Sequence, residues 1–216
     1  MARTNRKSRD AAASRAALMD AAGRLFARRG FSATSLDMIA AETGLNKAMV
    51  AYYFGSKTGL YQSVLDAGVS KLLERVDIDA LEASPPARRL PAFARVLARG
   101  FEAAPYLPGM LVQDYLSGTQ QMRPEAAASL ARNFEVTRAI VERGQMAGVF
   151  READPHQVHL TLVGALVFFS ITRPFRNKMQ SEGRLPFTNP DPEEFAEFVG
   201  EMLARGLVAE NPSEPG

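Results

Sequence analysis

Between Thr34 and Lys57 the chain gathers side chains suited to hold and read an anionic polymer. Lys47 can meet a phosphate or a guanine edge, and Ala48 or Met49 can touch a thymine methyl. Tyr52 and Tyr53 offer rings with a polar tip, and Thr34, Ser35 and Asn46 offer short hydroxyl and amide groups. Spacing decides whether these groups act together. On a helix, Val50 and Phe54 lie four apart and share a buried face, so Ala48, Ala51 and Tyr52 point away, with Lys47 and Met49 on the flanks. A solvated face normally carries Glu, Lys and Gln, whereas a small, aromatic and basic face lets a backbone come close to a groove. Ser56 and Lys57 open a further helix whose free amides and positive end favour a phosphate.

The elements that would position these groups are legible on either side. Thr34 or Ser35 can cap a first helix, with Asp37 where a capping box wants an acid, and Leu36, Ile39 and Ala40 recur at helical spacing. Gly44 permits the turn and Asn46 caps the next helix, which is the outline of a helix-turn-helix that places one helix in the major groove of double-stranded DNA. Upstream, Leu18, Ala21, Ala22, Leu25 and Phe26 form one stripe over residues 13–29, and Gly30 is the stop.

The rest of the chain reads as all-α, about nine helices in total. Further helices are expected near 57–75, 88–104, 106–117, 124–147, 155–173 and 192–207, the last two begun by Asp154-Pro155 and Asp191-Pro192. Pro108 and Pro174 should bend or end their helices, and residues 177–190 read as a long loop. The expected organisation is a disordered basic arm over 1–8, a three-helix head over 9–56, and a connecting helix over 57–76. A larger body follows over 77–210, entered through a loop near 77–87, and then a disordered tail over 211–216.

Charge is divided unevenly. The net charge is +2, yet residues 1–60 balance at +6 and the remainder at −4. A basic head on a mildly acidic body suits a nucleic-acid binder, because released counterions drive association with phosphates. The 216 residues contain no cysteine, which removes disulfides and thiolate metal sites, and the chain reads as cytoplasmic. The longest apolar run, Val158 to Ile171, is shorter than the roughly 20 residues a bilayer needs, so no membrane partner is expected.

Glu152, Asp154, His156 and His159 form the best constellation for metal or acid-base chemistry. Histidines three apart on a helix can share a metal, but no other histidine exists to complete a di-metal bundle; helix capping and surface histidines explain the same residues. No Gly-rich phosphate loop, nucleophile elbow or cysteine nucleophile is present, so neither an enzyme nor a cofactor or metal is expected.

At the residues of the head the chain resembles the TetR family of bacterial transcriptional regulators. The resemblance covers Leu18 to Phe26 with Gly30-Phe31, Thr34-Ser35, Ile39-Ala40, Gly44-Leu45-Asn46-Lys47, and Tyr52-Tyr53-Phe54-Gly55-Ser56-Lys57 with Leu60-Tyr61. Ala51 and Thr58 depart from the family pattern, which usually has a tyrosine and an acid there. The resemblance implies DNA contact at Thr34, Ser35, Asn46, Lys47, Ala48, Tyr52, Tyr53 and Lys57, with Lys47 and Tyr52 in the groove and Lys57 on a phosphate. It also implies a homodimeric body that binds a small-molecule effector and, most simply, a repressor.

Candidate effector walls are Phe93, Leu97, Phe101, Tyr106, Met110, Tyr115, Phe134 and Phe168, with Asp114, Arg138 and Arg173 as polar anchors; ordinary core is the competing use. For dimerisation, Val163 and Phe169 on one helix and Phe195, Phe198, Val199 and Met202 on another supply more apolar surface than one core needs. A non-specific architectural DNA binder, and a helical enzyme or scaffold without DNA binding, are the alternative readings.

Overall fold

Gly30 interrupts the first helix with a backbone conformation (φ 75°, ψ 175°) that L side chains resist, and the reading head starts from that break. A computed structural model describes residues 2–74, 76–118 and 121–209, whose regular elements are all helices, with no strand among them. The helices are α1 (Ala2–Ala33), α2 (Leu36–Thr43), α3 (Ala48–Phe54), α4 (Lys57–Leu73) and α5 (Ile78–Ala83). They are followed by α6 (Pro86–Ala103), α7 (Leu107–Ser117), α8 (Pro124–Met146), α9 (Pro155–Ser181) and α10 (Pro192–Gly206).

Several expectations are corrected. The backbone of residues 2–8 continues α1 instead of forming a disordered arm. Residues 78–83, expected as loop, make the short helix α5, which Asp77 caps by accepting from the Ala80 amide at 3.0 Å. Pro108 lies in the first turn of α7 and bends nothing, because the N–H it lacks has no helical partner there. Pro174 does not end α9: the Arg176 guanidinium donates to the Phe169 carbonyl at 2.9 Å and to the Thr172 hydroxyl, bridging the turn around the proline. The helix therefore takes residues 177–181 from the expected loop. The expected tail, 211–216, lies outside the described residues.

Packing divides the chain into two compact units, residues 1–70 with 106–127, and residues 71–105 with 128–216. The segment 106–127 thus joins the head's unit instead of the body to which sequence assigns it. In the first unit the α1 stripe Leu18, Ala21, Ala22, Leu25 and Phe26 is buried as its spacing predicts. Phe26 meets the edge of Tyr61 at 4.9 Å between centroids. The Tyr61 hydroxyl donates to buried Asp114 at 3.2 Å, and the Gln121 amide donates to the same oxygen at 3.1 Å. Burial, then the Asp114 charge, pushes the Tyr61 phenol well above its ordinary range, so it stays a donor.

In the second unit α6 and α10 run antiparallel. Arg88–Glu201, Arg95–Glu197 and Arg99–Glu193 pair along them at 2.9, 3.0 and 2.7 Å. Such exposed pairs contribute only about 0.2–1 kcal/mol each, so their use is to set register. The hydrogen bond from Arg99 holds the Glu193 carboxyl below its ordinary range. Contact is closest at Gly200, where an added Cβ would lie 2.5 Å from the Cα of Pro91. Phe169 stacks on Phe195 with centroids 4.2 Å apart, closing α9 on α10.

Gly200→Ala should therefore lower stability by about 1–3 kcal/mol, as overpacking against rigid backbone does. Gly206→Ala, with open space around it, should be neutral or slightly stabilising. Thermal and urea unfolding of the two variants distinguishes them, and equal effects would contradict this packing.

Candidate nucleic-acid interface and body cavities

The start of α2 is capped as its sequence suggests: the Ser35 hydroxyl accepts from the Met38 amide at 3.2 Å. Asp37 does not complete a capping box but accepts from the Lys47 ammonium at 2.9 Å, tying the first turn of α2 to the entrance of α3. The Asn46 side chain accepts from the Ala48 amide at 2.8 Å and so opens α3. Ile39 and Val50 are fully buried and anchor the two helices, and the Arg15 guanidinium lies 5.1 Å from the Phe54 ring centroid.

This anchoring turns Asn46, Lys47, Ala48, Ala51 and Tyr52 outward; Tyr52 is 78 % exposed. Tyr53 is half-buried, with Tyr52 edge-on at 4.9 Å and Phe54 at 6.1 Å. The exposed face thus pairs one ammonium with an aromatic ring and two methyl groups, a combination that fits base edges and phosphates.

Two residues assigned to this surface point inward. Thr34 is 1 % exposed and its hydroxyl donates to the Gly30 carbonyl at 2.8 Å, closing the break in α1. Lys57 donates to the carbonyls of Phe31 and Thr34, each at 2.9 Å, and its Nζ sits 4.3 Å from the Phe31 ring centroid. Lys57, expected to meet a phosphate, makes a structural contact here. The Phe31 carbonyl also accepts from the Thr34 amide at 3.3 Å, so the ammonium adds a second, shorter donor at the corner that Gly30 makes.

The effector candidates divide between the two units. Tyr106, Met110, Asp114 and Tyr115 belong to the first unit, the others to the second. Phe93, Leu97 and Met110 are fully buried core, Asp114 is committed to Tyr61 and Gln121, and Tyr115 and Phe168 are exposed. Arg138 is exposed and pairs with Glu135 and Glu142 on its own helix. Half-buried Phe134 meets His156 and His159 edge-on, at 5.9 and 5.5 Å. Phe101 and Arg173 do share a cavity of about 320 Å³ between α6, α9 and α10, where Arg173 pairs with Glu102 at 3.3 Å.

A second cavity, of about 420 Å³, escaped the sequence reading. Val76, Ile78 and Leu81 with Val136, Ala139 and Ile140 give it an apolar floor, and Arg89 and Arg132 stand at its edge. The signal was present in α8, where Val136, Ala139 and Ile140 recur at intervals of three and one as an apolar stripe, with Arg143 three residues further on.

The metal constellation resolves into local contacts. Asp154 caps α9 by accepting from the His156 amide at 2.8 Å, and His159 Nδ1 lies 2.9 Å from the Thr137 hydroxyl. Burial, reinforced by His156, holds the His159 imidazole below its ordinary pKa. Of the dimer candidates, Phe169 and Val199 are buried by their own chain, Val163 and Phe195 are half-buried, and Phe198 and Met202 are exposed.

Comparison with known proteins places this geometry among regulators. Residues 18–64 match the model of the family described as bacterial regulatory proteins, tetR family. The HTH-type transcriptional repressor SCO4008 of Streptomyces coelicolor is 29% identical over 168 residues, 77% of this chain and 83% of that one. The HTH-type transcriptional repressor Rv3405c of Mycobacterium tuberculosis is 34% identical over 128 residues, 58% of this chain and 67% of that one. Among solved structures, the TetR family transcriptional regulator PfmR of Thermus thermophilus superposes with a TM-score of 0.66 at 28% identity, covering 89% of this chain and 99% of that one.

The two lysines should separate in solution without any DNA. Lys57→Ala should cost about 1.5–3 kcal/mol of stability, the range for hydrogen bonds to a charged group. Lys47→Ala should cost less than about 0.5 kcal/mol, since its pair with Asp37 is exposed. Urea unfolding checks both, and an unchanged Lys57→Ala midpoint would contradict the inward assignment.

Proposed function

We propose that this chain, which belongs to the tetR family of bacterial regulatory proteins, works as a homodimeric repressor that binds a palindromic operator and is released by a small effector. The observation that carries the DNA reading is the exposed face of α3, where Lys47, Ala48, Ala51 and Tyr52 stand together over a buried Val50. Lys47 and Tyr52 read the groove, and Ser35, Asn46 and Tyr53 hold the backbone on either side. Lys57 acts at one remove, by keeping the corner that orients α3.

The dimer reading is supported by the outer side of α9. By length and composition this helix could cross a membrane, and its inner side, Val158, Leu162, Leu166 and Phe169, is buried in its own unit. Its outer side carries exposed Leu160, Phe168, Ile171 and Phe175 at helical spacing, and α10 adds Phe198 and Met202. An exposed apolar stripe of this extent marks an interface. A second copy covers it isologously, and the two-fold axis that results sets two α3 helices for two half-sites about one helical turn, or a multiple of it, apart. Phe168 and Phe175 thereby take the interface places that Phe169 and Val199 cannot fill.

An effector releases DNA by binding one arrangement of the dimer better than the other, and the shift is limited by that difference in affinity.

Selection of binding sites from random duplexes with the purified protein should return a palindrome. Lys47→Ala should cost ~1–3 kcal/mol on it and relax the preference at one position per half-site. Equal losses on selected and random DNA would favour an architectural binder. Phe198→Asp should convert a micromolar dimer to a folded monomer, since an unpaired charge would be buried at the interface. Sedimentation of the wild type as a monomer would contradict the dimer.

A further inference from the structure

We propose that the cavity between α5, the first turns of α6 and α8 binds an amphipathic monoanion, an acyl or aryl chain ending in a carboxylate. This deepens the proposed function, because it rests on the reading of the body as the effector-binding part.

Size, floor and charge agree on that class. The volume of about 420 Å³ falls within the roughly 300–1,000 Å³ usual for small-molecule sites. Leu81 and Ile140 are buried at the floor and Val136 is half-buried beside them. A polyhydroxylated or multiply charged ligand would leave its polar groups unpaired against such a floor.

The rim is positively biased. It carries Arg89, Arg132 and Arg143 against Glu82 and Glu135. Both acids are already occupied, Glu82 by Arg143 and Glu135 by Arg138. Arg89 donates to carbonyls at the end of α5, to Ser84 at 3.0 Å and Glu82 at 2.9 Å, and has no carboxylate partner among the described residues. Arg132 donates to the Ser129 hydroxyl at 2.7 Å and has no carboxylate partner among the described residues. One guanidinium held by two backbone carbonyls and a second held by one hydroxyl stand at the edge of an apolar pit, and a carboxylate is the group that such a pair receives in bidentate fashion. A cationic ligand is excluded by the same balance.

Calorimetric titration of the full chain with octanoate, decanoate, dodecanoate and 1-decanol tests this. Affinity should rise roughly fourfold per added methylene until the cavity is full. Decanol should bind at least tenfold more weakly than decanoate. Arg132→Gln should weaken decanoate about tenfold and leave decanol unchanged. Ala139→Trp, folded by circular dichroism, should lose both. Equal affinity for acid and alcohol, an Arg132→Gln variant that binds decanoate normally, or retention of binding in Ala139→Trp would each overturn the proposal. So would Arg132-dependent binding to phosphatidylglycerol vesicles, which would make a lipid surface the ligand. Duplex binding is measured separately. Decanoate that binds as described but leaves duplex affinity unchanged upholds the site and removes the effector role; duplex binding without any decanoate binding overturns the site alone.

Discussion

The carbonyl groups at the corner where α1 stops are the constraint around which the DNA-binding head is arranged. Around the break at Gly30 the carbonyls of Gly30, Phe31 and Thr34 take side-chain donors, that of Phe31 in addition to the Thr34 amide at 3.3 Å. The Thr34 hydroxyl takes the first and the Lys57 ammonium takes the other two. Because Lys57 is the first residue of α4, satisfying α1 fixes where α4 begins, and α2 and α3 must fold in the interval. The buried Ile39 and Val50 then decide which side of α3 faces inward, and what remains outside is Lys47, Ala48, Ala51 and Tyr52. The outward face of α3 is thus set largely by contacts made away from it.

In the body the corresponding constraint is backbone contact. Gly200 lets α10 rest directly on Pro91 of α6, and the three Arg–Glu pairs along these helices select one register. With α9 closed against α10 by the Phe169–Phe195 stack, its opposite side is left apolar and uncovered.

Much of this was legible in sequence because it depends on local rules. The α1 stripe follows from 3.6-residue periodicity, and Ser35, Asp154 and Asp191 cap their helices as short polar side chains do. What was not legible depends on contacts distant in sequence. Lys57 reads as a phosphate ligand until the carbonyls 23 and 26 residues upstream are brought to it. Phe168 and Phe169 are chemically identical neighbours, and only the rotation of α9, roughly 100° per residue, puts one in the core and leaves the other 65 % exposed. Arg89 is not singled out by sequence, because Glu82 is paired with Arg143, 61 residues away.

Hydrogen exchange of the purified protein, with and without a duplex selected from a random pool, tests the central claim most directly. If the outward face of α3 reads DNA from a head held by its own carbonyl contacts, protection should rise over residues 46–53 and at the start of α2. Exchange at Phe31 to Thr34 should already be slow before DNA is added. Protection confined to other helices, or a Phe31–Thr34 corner that exchanges freely until DNA binds, would contradict the account.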